Sequence, residues 1–186
     1  MKTGLFFGSF NPIHIGHLNI AQYVINETEI EKVIFIVSPQ NPFKNESELW
    51  PFEKRLELVR KSIENNPDFE VSDIEFHLPK PSYTSQTLEA LEQTKRGHDY
   101  SIIMGTDTLA GLDKWKQPEK ILSYPILVYP RHKDDLRPYA GHSSIRHMEC
   151  PIMEISATRI RESLKSGKSV RYQVSDAILK DLDFMR

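Results

Sequence analysis

Three short runs in this chain are apolar at almost every position: Val33 to Val37, Tyr100 to Met104 and Ile126 to Tyr129. A strand with one wet face alternates apolar and polar residues. A continuous apolar run instead marks a strand covered on both faces, as parallel strands are. Helical spacings lie between these runs. Leu18, Ala21 and Ile25 follow a first apolar stretch, Gly4 to Phe7, and Phe52, Leu56, Val59 and Ile63 follow the second. Leu88 and Leu91 mark a helix that Thr84 or Ser85 can cap. Strands alternating with helices predict an α/β fold, a doubly wound parallel sheet with right-handed crossovers. A length of 186 residues fits one domain spanning 1–186.

The remaining pattern is less regular. Phe69 to Val71 reads as a short strand, and a last strand is expected near Met148 to Ile155, with Pro151 marking an edge or bulge. Ser156 then caps a short helix carrying Ile160 and Leu164. Val174, Ala177, Ile178 and Leu182 predict a terminal helix. This helical segment, about 156–186, is expected to pack on the sheet. Residues 38–50, 77–83 and 130–147 read as loops.

The chemically informative stretch is Gly8 to Leu18, GSFNPIHIGHL. It forms the turn from the first strand into the first helix. In open α/β sheets, ligands bind beyond the carboxyl ends of the strands. Gly8 has no Cβ to keep a phosphate from the backbone. Ser9, Phe10 and Asn11 can offer N–H groups to an anion, and Pro12 stiffens the loop. His14 and His17, three apart, share a face where the helix begins, and Gly16 between them admits a ligand. A helix N-terminus favours anions through free N–H groups and its dipole. Zinc is the competing reading of two histidines, but no third or fourth ligand is grouped with them and Cys150 is the single cysteine. A Walker-type loop needs Gly-Lys-Ser/Thr, which is absent from this turn.

Other groups carry weaker signals. Ser156-Ala157-Thr158 opens a helix with two hydroxyls, and Arg159 and Arg161 follow; this is a second anion site or a plain capped helix. Gly105 and Asp107 end a strand beside the presumed site, where they can meet a ribose, and Arg131 follows another strand. Lys44 lies at the tip of a proline-braced loop. Arg55 either sits on an exposed helix face or reaches the same pocket. Ser82-Tyr83-Thr84 alone is an ordinary cap, and Trp115 alone is more often core or interface.

GSFNPIHIGHL resembles the G-x-F-x-P-x-H-x-G-H signature of the nucleotidyltransferase superfamily, which has a Rossmann-like fold. The whole chain resembles the bacterial nicotinate-nucleotide adenylyltransferases. The supporting segments, in the family's order, are Ser38 to Lys44, Pro81 to Leu88, Gly105 to Asp107 with Trp115, and Ile155 to Arg161. The resemblance implies transfer of an adenylyl group from ATP to nicotinate mononucleotide, with pyrophosphate released, in NAD biosynthesis. By the same resemblance His14, His17 and Arg161 would be catalytic. ATP would be held by the first turn (Gly8, Ser9, Phe10, Asn11 and Gly16), by Gly105, Asp107 and Arg131, and by Ser156 and Thr158. The acceptor would meet Lys44, Arg55, Ser82, Tyr83, Thr84 and Trp115, with backbone donors at 82–84 on its carboxylate and Trp115 stacked on its ring. Phe43 stands where the family usually has histidine, and Gln86 where it often has an acid. Mg²⁺ would arrive with ATP. The alternatives are another adenylyltransferase, with nicotinamide mononucleotide or phosphopantetheine as acceptor, or a non-catalytic nucleotide sensor. Phosphopantetheine enzymes lack the Pro-Ser-Tyr-Thr segment.

Bulk properties exclude other classes. A net charge of −2 argues against a nucleic-acid or membrane-surface binder. One cysteine fits a reducing compartment. No apolar run is long enough to span a bilayer, so a cytoplasmic protein is expected. Monomer and homo-oligomer both remain open.

Overall fold

The computed structural model describes residues 1–39, 49–94, 97–131 and 139–185. Six strands form one sheet: β1 (Lys2–Gly8), β2 (Lys32–Val37), β3 (Phe69–Ser72), β4 (Asp99–Gly105), β5 (Ile126–Tyr129) and β6 (Ile145–His147). Their order is β3-β2-β1-β4-β5-β6, and every neighbouring pair is parallel. The chain winds outward from β1 in one direction and from β4 in the other. The strand order therefore reverses between β1 and β4, the place where such sheets open a ligand crevice.

Both faces of the sheet are covered, which is why its central strands read as unbroken apolar runs. Phe6, Val33, Phe35, Val37, Ile103 and Leu127 point into one core. There they meet Ile20 and Val24 of α1 (Ile15–Glu27), Leu58 and Val59 of α2 (Phe52–Ile63), and Ile160 and Leu164 of α6 (Ala157–Lys165). Leu5, Ile34, Ile36, Ile102, Met104 and Val128, the alternate positions, point into the other core. That core is closed by α3 (Thr84–Thr94), α4 (Thr106–Leu109) and α5 (Pro118–Leu122) through Leu88, Leu91, Leu109 and Ile121.

Three local expectations change. The last strand is Ile145–His147, not Met148 to Ile155. Met148 and Cys150 are buried, but from an irregular segment in which Pro151 cannot donate to a ladder. Residues 174–182 form 3₁₀ turns (Asp176–Ile178 and Lys180–Met185) instead of one α-helix. Val174, Ile178 and Leu182 still reach the first core, while Ala177 is exposed. Thr84 and Ser85 lie inside α3, whose first turn closes on the Tyr83 carbonyl through the Gln86 and Thr87 N–H groups.

The segment after α6 also reaches back to the first turn. The Ile15 N–H, at the head of α1, donates to the Gln173 carbonyl at 2.9 Å.

Candidate active site

A cleft of about 800 Å³ runs along the carboxyl ends of β1, β2, β4 and β5. The starts of α3 and α6 close its two flanks. It brings together all but three of the predicted site residues. Gly16 lines a smaller recess that shares His14, His17 and Arg131 with the cleft. Lys44 lies outside the described residues, as does Phe43. Arg55 is elsewhere, as set out below.

The first turn is built around Phe10. Its backbone is left-handed (φ 43°), and its ring drops into the core. A Cβ on Gly8 would sit 2.8 Å from that ring, so glycine is required by packing against Phe10 as well as by any ligand. Phe10 meets Phe6, Phe35 and His17 edge-on. The His14 and His17 rings stack, with centroids 3.7 Å apart. The His14 N–H donates to His17 Nδ1 at 3.3 Å, which fixes the second ring against the head of α1.

His14 is buried, and its Nδ1 has no hydrogen-bond partner among the described residues. Burial, with the Arg131 cation assisting, pushes its pKa down to about 4. At neutral pH this imidazole is uncharged, so it offers a ligand one N–H and no net charge.

Near the histidines, positive charge comes from two arginines. Arg161 donates to the Asn11 carbonyl at 2.8 Å and reaches Thr158 Oγ1 at 3.5 Å, so α6 is tied to the first turn. Ser156 caps α6 by accepting from the Arg159 N–H at 3.2 Å. Arg131 pairs with Asp107 at 3.6 Å, and its N–H donates to Thr106 Oγ1. A Cβ on Gly105 would stand 2.5 Å from Asp107 and 2.9 Å from Arg131, so only glycine lets that pair cross the end of β4. Asn11 spends its side-chain oxygen on the Trp50 N–H, 3.0 Å away.

The recess beside the histidines is lined by Tyr129, Ile20 and Met153, none of which sequence reasoning singled out. Burial pushes the Tyr129 phenol up to about 12. Their types and spacing match core residues, so only the fold identifies them.

At the other end lie Ser82, Tyr83, Thr84, Trp115 and Lys116. The Lys116 ammonium rests 4.5 Å over the Tyr83 ring. Among the described residues nothing accepts from the Thr84 or Ser85 N–H. This end also contains a buried acid that no local motif marks. Glu75 is 3% exposed and takes hydroxyl donors from Ser82 (3.0 Å) and Thr87 (2.9 Å).

Arg55 takes neither of its two expected positions. It is 1% exposed, and its guanidinium binds four backbone carbonyls. These are Trp50 (2.9 Å), Ser9 (2.5 Å), Ser38 (2.8 Å) and Pro39 (3.0 Å). Burial lowers its pKa to about 10, so it remains a cation at neutral pH. It is not in the cleft wall; it shapes the loops that make the wall.

Among the described residues no three His, Cys, Asp or Glu side chains gather as a metal site. No helix is long and apolar enough to cross a membrane.

The cytidylyltransferase-like family model matches residues 5–163. A protein of Bacteroides fragilis described as a probable nicotinate-nucleotide adenylyltransferase is 47% identical over 180 residues, covering 96% of this chain and 90% of that protein. A Cytophaga hutchinsonii protein with the same description is also 47% identical, covering 96% of this chain and 93% of its own. Among solved structures, the Plasmodium falciparum nicotinic acid mononucleotide adenylyltransferase complexed with NaAD superposes with a TM-score of 0.79. It covers 98% of both chains at 17% identity, a likeness of fold.

Proposed function

Because the chain belongs to the cytidylyltransferase-like family, and within it to the nicotinate-nucleotide adenylyltransferases, we propose that it joins ATP and nicotinate mononucleotide into nicotinate adenine dinucleotide, releasing pyrophosphate. It is a nucleotidyltransferase, and the product belongs to NAD biosynthesis. The observation that carries the choice of acceptor is the start of α3. Its Thr84 and Ser85 N–H groups have no partner among the described residues, and Thr84 lines the same cleft as the histidine pair.

An oxygen of the mononucleotide phosphate attacks the α-phosphorus of ATP. A P–O bond forms there as the bond to the bridging oxygen of the β-phosphate breaks, in line. A phosphate monoester has a second pKa near 6, so the nucleophile is already an anion and needs no general base. Catalysis is then positioning and charge stabilisation. Neutral His14, with His17 stacked against it, would donate to the phosphates at the head of α1. Arg161, Ser156 and Thr158 would hold the departing pyrophosphate, with Arg131 adding positive charge. ATP would enter as its Mg²⁺ complex, the metal helping to neutralise the charge on the phosphates. The adenosine would lie in the main cleft beside Gly105, Asp107 and Tyr129. At the far end the N-terminus of α3 would bind the ring carboxylate, and Trp115 the ring face. Buried Cys150 suits a reducing compartment, and the cytoplasm is the location we assign.

Pyrophosphate release with ATP and each candidate acceptor tests this reading. A carboxylate accepts from free N–H groups with both oxygens, whereas an amide turns an NH₂ toward them. The acid should therefore exceed the amide in kcat/KM by about 10²-fold. A ratio near one, or no turnover with the acid, refutes the acceptor assignment.

A further inference from the structure

We propose that Glu75 is the positioning residue of the acceptor end, holding Ser82 and the first turn of α3 where the free N–H groups meet the acceptor's carboxylate. This rests on the acceptor assignment above. Glu75 sits in the 3₁₀ turn Ile74–His77, between β3 and α3. Its two carboxylate oxygens divide the work. Oε2 accepts from Ser82, which lies two residues before α3, and Oε1 accepts from Thr87 inside its first turn. The two bonds grip the helix start from both sides. Between them the Tyr83 carbonyl takes the Gln86 and Thr87 N–H groups, so the turn is closed; no described group accepts from the Thr84 or Ser85 N–H, and Thr84 lines the cleft.

A third hydroxyl, from Ser38 at the end of β2, also serves Glu75. Ser38 in turn donates its N–H to the Gly8 carbonyl, at the edge of the anion turn. The carboxyl has no cationic partner among the described residues. Burial raises its pKa while the three hydroxyls act the other way. An acid kept at that cost, with every bond directed at a cleft wall, serves geometry.

The test measures KM for each substrate, and the acid-to-amide ratio, in wild type, Glu75→Ala, Glu75→Gln and Thr87→Val. Glu75→Ala should raise the acceptor KM about 10-fold or more, move the ratio toward one and leave the ATP KM within about twofold. Glu75→Gln keeps the shape and one acceptor oxygen, and should recover most of the loss. Where Glu75→Ala fails to fold, Thr87→Val, which removes a hydroxyl that reaches Glu75 and the Tyr83 carbonyl, should show the same split in smaller measure. An unchanged acceptor KM in the folded variants, or an equal rise for both substrates, overturns the proposal. A wild type that releases no pyrophosphate with nicotinate mononucleotide overturns the functional reading itself, before any variant is compared.

Discussion

Behind the anion turn lies a buried cation, Arg55; behind the start of α3 lies a buried acid, Glu75. Each is almost fully enclosed and each organises loops at the carboxyl edge of the sheet. They differ in what they bind. Arg55 holds four backbone carbonyls, which exist whatever residues the loops carry. Glu75 holds hydroxyls, which exist only where the sequence places Ser or Thr. The first brace tolerates loop substitution; the second depends on the identity of its partners. Ser38 belongs to both, giving its carbonyl to Arg55 and its hydroxyl to Glu75.

The comparison breaks most readily at Arg55. Arg55→Met strands several carbonyls at once and should cost about 3 kcal/mol or more of global stability, read from a denaturant midpoint. A loss under about 1 kcal/mol, with only a KM changed, would mean that the two braces act alike.

His17→Ala tests the phosphate end directly. Removing one preorganised donor costs roughly 3 kcal/mol, so kcat should fall about 10²-fold. The acid-to-amide ratio should hold, because His17 is at the opposite end from α3. A changed ratio would show that the ends are not separable, and unchanged turnover would end the assignment of His17.

Arg161→Ala should lower kcat/KM for ATP about 10-fold while the protein still melts cooperatively. Loss of folding would instead make its bond to the Asn11 carbonyl the important one.

The smallest effect should be in the pH dependence of the Glu75→Gln melt. Burial raises the Glu75 carboxyl, so the folded state holds a proton that the unfolded state releases. The stability Glu75 contributes is complete below the ordinary carboxylate range and is lost as pH rises through the raised value. The gap between wild type and Glu75→Gln should therefore shrink as pH rises from about 4 toward neutrality. A gap that widens would show that the hydroxyls outweigh burial.

The sheet was legible because burial on both faces writes itself into consecutive residues, as at Val33 to Val37. The α6 cap was legible because Ser156 and Arg159 are near neighbours in the chain. Glu75 was not, since its partners lie 12 residues ahead at Thr87 and far behind at Ser38. Arg55 was misjudged for the same reason: its carbonyls carry no residue signature at all. The strand expected at Met148 failed because alternate burial of Met148 and Cys150 needs no ladder. The terminal segment shows spacing without the α-helix, since Val174, Ile178 and Leu182 reach the core through 3₁₀ turns.

The bond from Ile15 to Gln173 sets an order of events in biosynthesis. The anion turn leaves the ribosome well before residue 173, and β1, β2 and α1 can assemble soon after. Yet the head of α1, beside His14, keeps an unmet donor until residue 173 has been made and docked. Val170, Val174 and Ile178 must then join Phe10 and Ile13 in the same core. The earliest part of the site to be synthesised is the last to be finished, so a nascent chain carries both histidines long before it carries a working turn.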